Sequence, residues 1–242
     1  MNDSRDDRPV LILQHLDSDG PAYLATWLSV QGAPYRVFNT QAGQDFPASV
    51  RGYRALAVLG GEISANDDLP SLRQAERLIL EAIERDVPVL GHCLGGQLMA
   101  KALGARIVPS PAPEVGWHGM TAMPVPLAQA WFGDGEWQRV FHWHFEAFEL
   151  PPGAVNLATS PACPQQAFAV GERHLAMQFH VEIDAAKLGA WSASQSQDYL
   201  QAQREFTSVH SGERMRADGV AALPAQQRLA DRIYGRWLSF SR

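Results

Sequence analysis

The sequence predicts an α/β protein: a central, mostly parallel sheet flanked by helices on both faces, with a small mixed or antiparallel extension. Three observations predict it. From Val10 to Gly104, short apolar runs alternate regularly with helical patterns, as in successive βαβ units. Two of these runs stop at glycine-rich turns, Gly60-Gly61 and Gly91 to Gly96, and loops at the carboxyl ends of parallel strands are where such sheets carry their chemistry. Beyond Gly104 the apolar runs shorten and are punctuated by Pro and Gly, which suits antiparallel strands. No repeat, low-complexity segment or linker interrupts the 242 residues, so 1–242 reads as one domain.

Taken in order, Met1 to Arg8 is polar and reads as a loose tail. Val10 to Leu13 suits a central strand. Tyr23 to Val30 is a helix with Leu24, Trp27 and Leu28 on one face, stopped near Gly32. Tyr35 to Asn39 and Ala55 to Leu59 are the next strands, the latter ended by Gly60-Gly61. After a polar loop with Asp67 and Asp68, Leu72 to Glu84 is an amphipathic helix. Val87 to Leu90 is a strand buried on both faces, and helical spacing resumes at Leu94, Leu98, Met99, Ala102 and Leu103, with Gly104 placed to end the helix. Strand-like runs follow at Arg106 to Val108, Met120 to Val125, Val140 to Trp143, Ala154 to Ala158, Ala167 to Val170 and Ala176 to His180. From Ala185 the pattern is helical, broken near Ser211-Gly212 and at Pro224, and finishing in Gln226 to Leu238.

Composition narrows the function. Hydrophobic residues at 46% and charged residues at 19% describe a globular chain with a full core. A net charge of −6 without a basic cluster argues against nucleic acid and anionic membrane as partners. No signal peptide or membrane-spanning run is visible, and the only cysteines are Cys93 and Cys163, so the expected compartment is the cytoplasm, where thiols stay reduced.

Cys93 falls on a sharp turn between a strand and a helix, the position of a nucleophile elbow. The helix N-terminus lends positive potential that favours a thiolate. The competing reading is a small buried cysteine in an ordinary βα loop. Downstream, His180 and Glu182 stand two apart, and in an extended strand they project to one side. A carboxylate beside an imidazole fixes its tautomer, which is the base and orienter that a cysteine nucleophile requires. An isolated His-x-Glu is otherwise an ordinary edge-strand pair.

The stretches G-H-C-L-G-G-Q around Cys93 and Q-F-H-V-E around His180 together resemble the class I (triad) glutamine amidotransferases, whose pattern is G-x-C-x-G-x-Q followed far downstream by Q-F-H-x-E. L-G-G-E-I-S-A-N-D-D at Leu59 to Asp68 is similar to the family's oxyanion loop. E-V-G-W at Glu114 to Trp117 and F-H-W-H-F-E-A-F-E-L-P at Phe141 to Pro151 are similar to segments of its stand-alone, GMP-synthase-like members. The likeness spans roughly the first three quarters of the chain, in order.

The resemblance implies a flavodoxin-like fold and a Cys93-His180-Glu182 triad that cleaves a γ-glutamyl amide through a thioester. It implies an oxyanion hole from the Gly61 and Leu94 backbones, with Gly60, Gln97, His144 and Glu146 contacting substrate. No cofactor or metal is implied, and the partners are a small-molecule substrate and a possible separate synthetase or acceptor subunit. Two departures stand out. The family often has Gly-Asp after its H-x-H, where this chain has Phe145-Glu146, so bulk stands where none is usual and the acid has a longer arm. His92 replaces a common aliphatic residue, with packing in the sheet core expected and contact with the site the alternative.

Other readings remain open at this level. A γ-glutamyl peptidase or hydrolase needs the same triad and no synthetase. A catalytically silent binding or regulatory module would leave the triad without a purpose. His142 and His144, joined by His180 and Glu182, are a formal metal set that leaves the Cys93 elbow unexplained. Trp117, Trp131, Trp137 and Trp143 suit core or pocket-wall packing, and His15, His118, His174, His210 and Cys163 read as ordinary.

Overall fold

The computed structural model describes residues 7–134 and 137–241, so most of the expected N-terminal tail, Met1 to Asp6, lies outside the described residues. The strands are β1 (Val10–Gln14), β2 (Tyr35–Asn39), β3 (Ala55–Val58), β4 (Val89–His92), β5 (Ile107–Ala122), β6 (Trp137–Phe148), β7 (Val155–Thr159), β8 (Ala167–Val170) and β9 (His174–Met177). They form a single sheet in the order β2-β1-β3-β4-β9-β8-β7-β5-β6. The pairings from β2 through β9 are parallel, and those from β9 through β6 are antiparallel. The sheet is therefore mixed, with an antiparallel half continuous with the parallel one.

The helices are α1 (Ala22–Val30), α2 (Pro70–Glu84), α3 (Leu94–Ala102), α4 (Pro126–Phe132), α5 (Ala185–Trp191), α6 (Gln197–Glu205) and α7 (Gly212–Ser239). β1 alternates between the two faces of the sheet. Val10 and Ile12 pack with Leu24 and Leu28 of α1 and with Leu229 and Ile233 of α7. Leu11 and Leu13 face the other layer, with Leu72 and Leu78 of α2 and Leu98 and Met99 of α3. Burying both faces is what a central parallel strand requires. Among the described residues no helix is long and apolar enough to cross a membrane.

Three expectations are corrected. The separate runs at Arg106 to Val108 and Met120 to Val125 belong to one region: β5 runs continuously from Ile107 to Ala122 and pairs with β6 as a long hairpin. Pro109, Pro111 and Pro113 hid it, and the structure absorbs them where the register shifts between Pro109 and Glu114. Second, Pro224 does not break a helix but lies inside α7. A proline costs one hydrogen bond there, and the long apolar face from Met215 through Ala222 to Trp237 outweighs that loss. The expected break at Ser211-Gly212 holds: α7 begins there, with the Ser211 side chain capping it. Third, β9 ends at Met177, so His180 and Glu182 lie on a turn between β9 and α5 rather than on a strand.

Candidate active site

The site begins at the junction of β4 and α3. Cys93 has φ 47° and ψ −107°, a positive φ unusual for a residue other than glycine, and its amide donates to Met177 O at 2.8 Å. The turn is tight because α3 presses against the sheet: a Cβ at Gly95 would strike the Val58 carbonyl of β3. Cys93 is 5% exposed and lines a cavity of about 610 Å³.

His180 lines the same cavity as Cys93. Its Nδ1 lies 2.7 Å from Glu182 Oε1, while the Cys93 thiol lies 3.7 Å from Trp143 O. Burial disfavours the charged ring, yet Glu182 and Cys93 outweigh it and lift the imidazole to about 10. Burial likewise opposes ionisation of Glu182, but Lys187 and then His180 hold its carboxyl well below the usual carboxylate range. The His-Glu pairing expected from strand alternation is thus present, made instead by a turn.

The structure brings Gly61, Cys93, Gln97, His144, Glu146 and His180 to the cavity. Glu182, Gly60 and Leu94 stand just behind it. Leu94 opens α3, where the first amides have no intrahelical acceptor. A Cβ at Gly61 would come within 2.9 Å of the Leu94 side chain, so the Gly61 loop packs against the start of α3. Gln97 Nε2 donates to Glu146 O at 3.0 Å, and Ser64 Oγ donates to the Glu146 carboxylate at 2.7 Å. His144 braces this wall from behind, with Nε2 3.1 Å from Glu114 Oε2 and Nδ1 3.2 Å from Glu146 O. Phe145 is 37% exposed on the cavity lining.

Sequence reasoning missed several neighbours. Gln178, inside the Q-F-H-V-E stretch, donates from Nε2 to Cys93 Sγ at 3.5 Å, and that stretch was its available signal. Trp191 and Tyr199, from the C-terminal helices, line the cavity with Trp143, and Trp191 meets the His180 ring edge-on at 4.8 Å. Asp19 and Lys187 stand beside Glu182 without any local sequence signal.

The remaining candidates resolve physically. His92 is buried in the sheet and also touches the site, its Nε2 3.8 Å from Glu182 Oε2. The four-residue metal set does not form: His142 and His144 gather with Glu114, and His180 and Glu182 gather with Asp19. Glu114 Oε2 already accepts from Gln166 Nε2 at 2.5 Å besides lying against His144. Burial works against the Glu114 charge, but its bond to His144 and the neighbouring His142 hold it down at about 2. Trp117 and Trp131 are core residues, Trp143 is on the cavity wall, and the Trp137 side chain lies outside the described residues. Cys163 is buried, and burial pushes its thiol up to about 12.

Residues 26–190 match the family model for glutamine amidotransferase class-I. The glutamine amidotransferase-like protein YfeJ of Salmonella typhimurium is 30% identical over 190 residues, covering 75% of this chain and 78% of that one. A GMP synthase [glutamine-hydrolyzing] of Herminiimonas arsenicoxydans is 34% identical over 146 residues, 55% of this chain but 26% of its own length. A solved glutamine amidotransferase from Methylobacillus flagellatus superposes with a TM-score of 0.92 at 34% identity, covering 96% of this chain and 95% of that one.

Proposed function

The chain belongs to the class-I glutamine amidotransferase family, and on that premise we propose that it cleaves a γ-glutamyl amide, glutamine or a related compound, through a thioester on Cys93. The observation that carries this reading is that Cys93 and His180 line one cavity, with His180 Nδ1 2.7 Å from Glu182 Oε1. The thiolate attacks the γ-carboxamide carbon. Negative charge gathers on the carbonyl oxygen, facing the Gly61 and Leu94 amides, each such donor contributing about 3–4 kcal/mol in comparable sites. His180 takes the thiol proton and delivers it to the departing nitrogen, so ammonia or an amine leaves and the acyl group stays on sulfur. Water then attacks the thioester with His180 as base, releasing the γ-carboxylate and restoring the thiol. Glu182 keeps the ring oriented and supports its charged form. Gln97 and Glu146 shape the substrate side, Gly60 backs it, and His144 acts on it by fixing Glu146.

Two fates follow for the nitrogen. Transfer to a separate synthetase is supported by the likeness to GMP synthases, of whose length this chain spans about a quarter. Hydrolysis of a larger γ-glutamyl conjugate, with no partner, is supported by the cavity of about 610 Å³ and by Phe145 on its lining. Both operate with thiols in reduced form, in keeping with a cytoplasmic setting.

The test is release of ammonia or amine from glutamine and from a panel of γ-glutamyl alkylamides, with and without cell extract. Wild type should turn over at least one donor, and Cys93→Ala should lose about a thousandfold or more in kcat. Stimulation of glutamine cleavage by extract supports a synthetase, whereas extract-independent turnover of an alkylamide supports the hydrolase. Full turnover by Cys93→Ala sinks the assignment.

A further inference from the structure

We propose that Lys187 is a positioning residue of this site: held between Asp19 and Glu182, its ammonium fixes the triad carboxylate and sets the charge balance around His180. The proposal rests on reading Cys93, His180 and Glu182 as the triad.

Lys187 sits in α5 with its side chain 5% exposed. Its Nζ donates to Glu182 Oε1 at 3.0 Å, to Gly20 O at 3.0 Å and to Asp19 Oδ1, so all three ammonium protons are used. Glu182 Oε1 thereby accepts from both Lys187 and His180. The other carboxylate oxygen has no hydrogen-bond partner, and His92 Nε2 lies 3.8 Å from it. The two donors on Oε1 therefore decide where the carboxylate points, and one of them is the lysine.

Asp19 closes the arrangement. It lies in the turn Asp17–Asp19 after β1, 168 residues from Lys187 in sequence. A Cβ added at Gly60 would strike the Asp19 carboxylate and lie 2.9 Å from His180 Cε1, so Asp19 also abuts the loop that carries Gly61. Helix α5 clips onto the same turn a second time, through Trp191 Nε1 donating to Ser18 O at 2.9 Å. The Lys187 ammonium stands 4.7 Å from the Trp191 ring centroid, and that ring covers His180.

A bland account would make this a buried salt bridge that holds α5 down. Buried ion pairs lose so much solvation that apolar replacements are often as stable, so holding a helix does not call for one. A charge role is different in kind, because it acts on the titration of the site. The groups facing His180 are Glu182, Cys93, Asp19, Lys187, His92 and, from β6, His142, while Tyr234 of α7 faces Glu182. Removing the lysine cation leaves the carboxylates uncompensated and stabilises protonated forms, so the pH profile moves up. Removing the Asp19 anion does the reverse.

The experiment compares Lys187→Met and Asp19→Asn, both close in shape to the native residue, by two readouts. The first is kcat/KM against pH on a γ-glutamyl donor. The second is the rate of Cys93 alkylation by iodoacetamide against pH, read on the peptide carrying Cys93. The second needs no substrate, so it stands even if the proposed reaction fails. Lys187→Met should lower kcat/KM about 10- to 100-fold, the worth of a hydrogen bond to a charged group. It should move the acid limb of both profiles up by about one pH unit, and Asp19→Asn should move it down by about as much. Should Lys187→Met not fold, the downward shift in Asp19→Asn alone decides. Unmoved limbs, or limbs that move together in one direction, overturn the proposal. Failure of wild type to turn over any γ-glutamyl amide overturns the functional reading instead.

Discussion

At Cys93 the backbone itself belongs to the proposed chemistry. A cysteine at φ 47° is strained, and only the surrounding packing keeps it there, with its amide on Met177 O and its sulfur between Trp143 O and Gln178 Nε2. The buried histidines titrate with opposite signs. His180 is lifted to about 10, so its contribution to stability is complete below its unfolded value near 6.5 and is lost as pH rises toward 10. His15, His174 and His210 behave the other way: burial lowers each to about 4, so their contribution is complete above about 6.5 and is lost as pH falls toward 4. Thermal unfolding should therefore show the melting temperature falling as pH drops from about 6.5 to 4. His174→Gln should flatten that fall by up to about 1.4 kcal/mol per pH unit, and an unchanged slope would contradict the assignment. Cys93, His180 and Glu182 were legible in the sequence because their motifs are compact. Asp19 and Lys187 were not, because a pair 168 residues apart has no spacing to read.

At the scale of elements, the site depends on α3 lying close against β3 and β4. Gly95→Ala places a methyl group into the Val58 carbonyl and should cost about 1–3 kcal/mol by overpacking, with activity lost alongside, measured by denaturant unfolding and turnover. The Ser211 hydroxyl accepts from the Arg214 amide at 3.2 Å to start α7, and Ser211→Ala should cost about 1 kcal/mol while leaving turnover near wild type. The parallel elements were readable because apolar runs and amphipathic helices alternate there. The β5-β6 hairpin was not, since its prolines and buried histidines carry no strand period, and pairing with a neighbour rather than local propensity forms it. Pro224 misled for a related reason: a long buried face overrode one unfavourable residue.

Across the whole molecule, the cavity is assembled from distant parts of the chain. The parallel half supplies Cys93 and Gly61, β6 supplies the wall from Trp143 to Glu146, and the C-terminal helices supply Trp191 and Tyr199. Trp191, Ser194, Ser196, Asp198 and Tyr199 line the cavity from beyond residue 190, outside the family match, in a region whose sequence offered no motif. Under the proposed function, Phe145 on the cavity lining offers an apolar surface to whatever is attached to the γ-glutamyl group. Phe145→Ala should reduce kcat/KM for a γ-glutamyl alkylamide about tenfold relative to glutamine, and an unchanged ratio would remove Phe145 from substrate selection. The most direct test of the central claim is intact-protein mass spectrometry after acid quench of wild type turning over a γ-glutamyl donor. The account predicts one added γ-glutamyl group, mapped to Cys93 and released by hydroxylamine as a thioester would be. Steady turnover with no such adduct at Cys93, in wild type and in a variant whose deacylation is slowed, would contradict it.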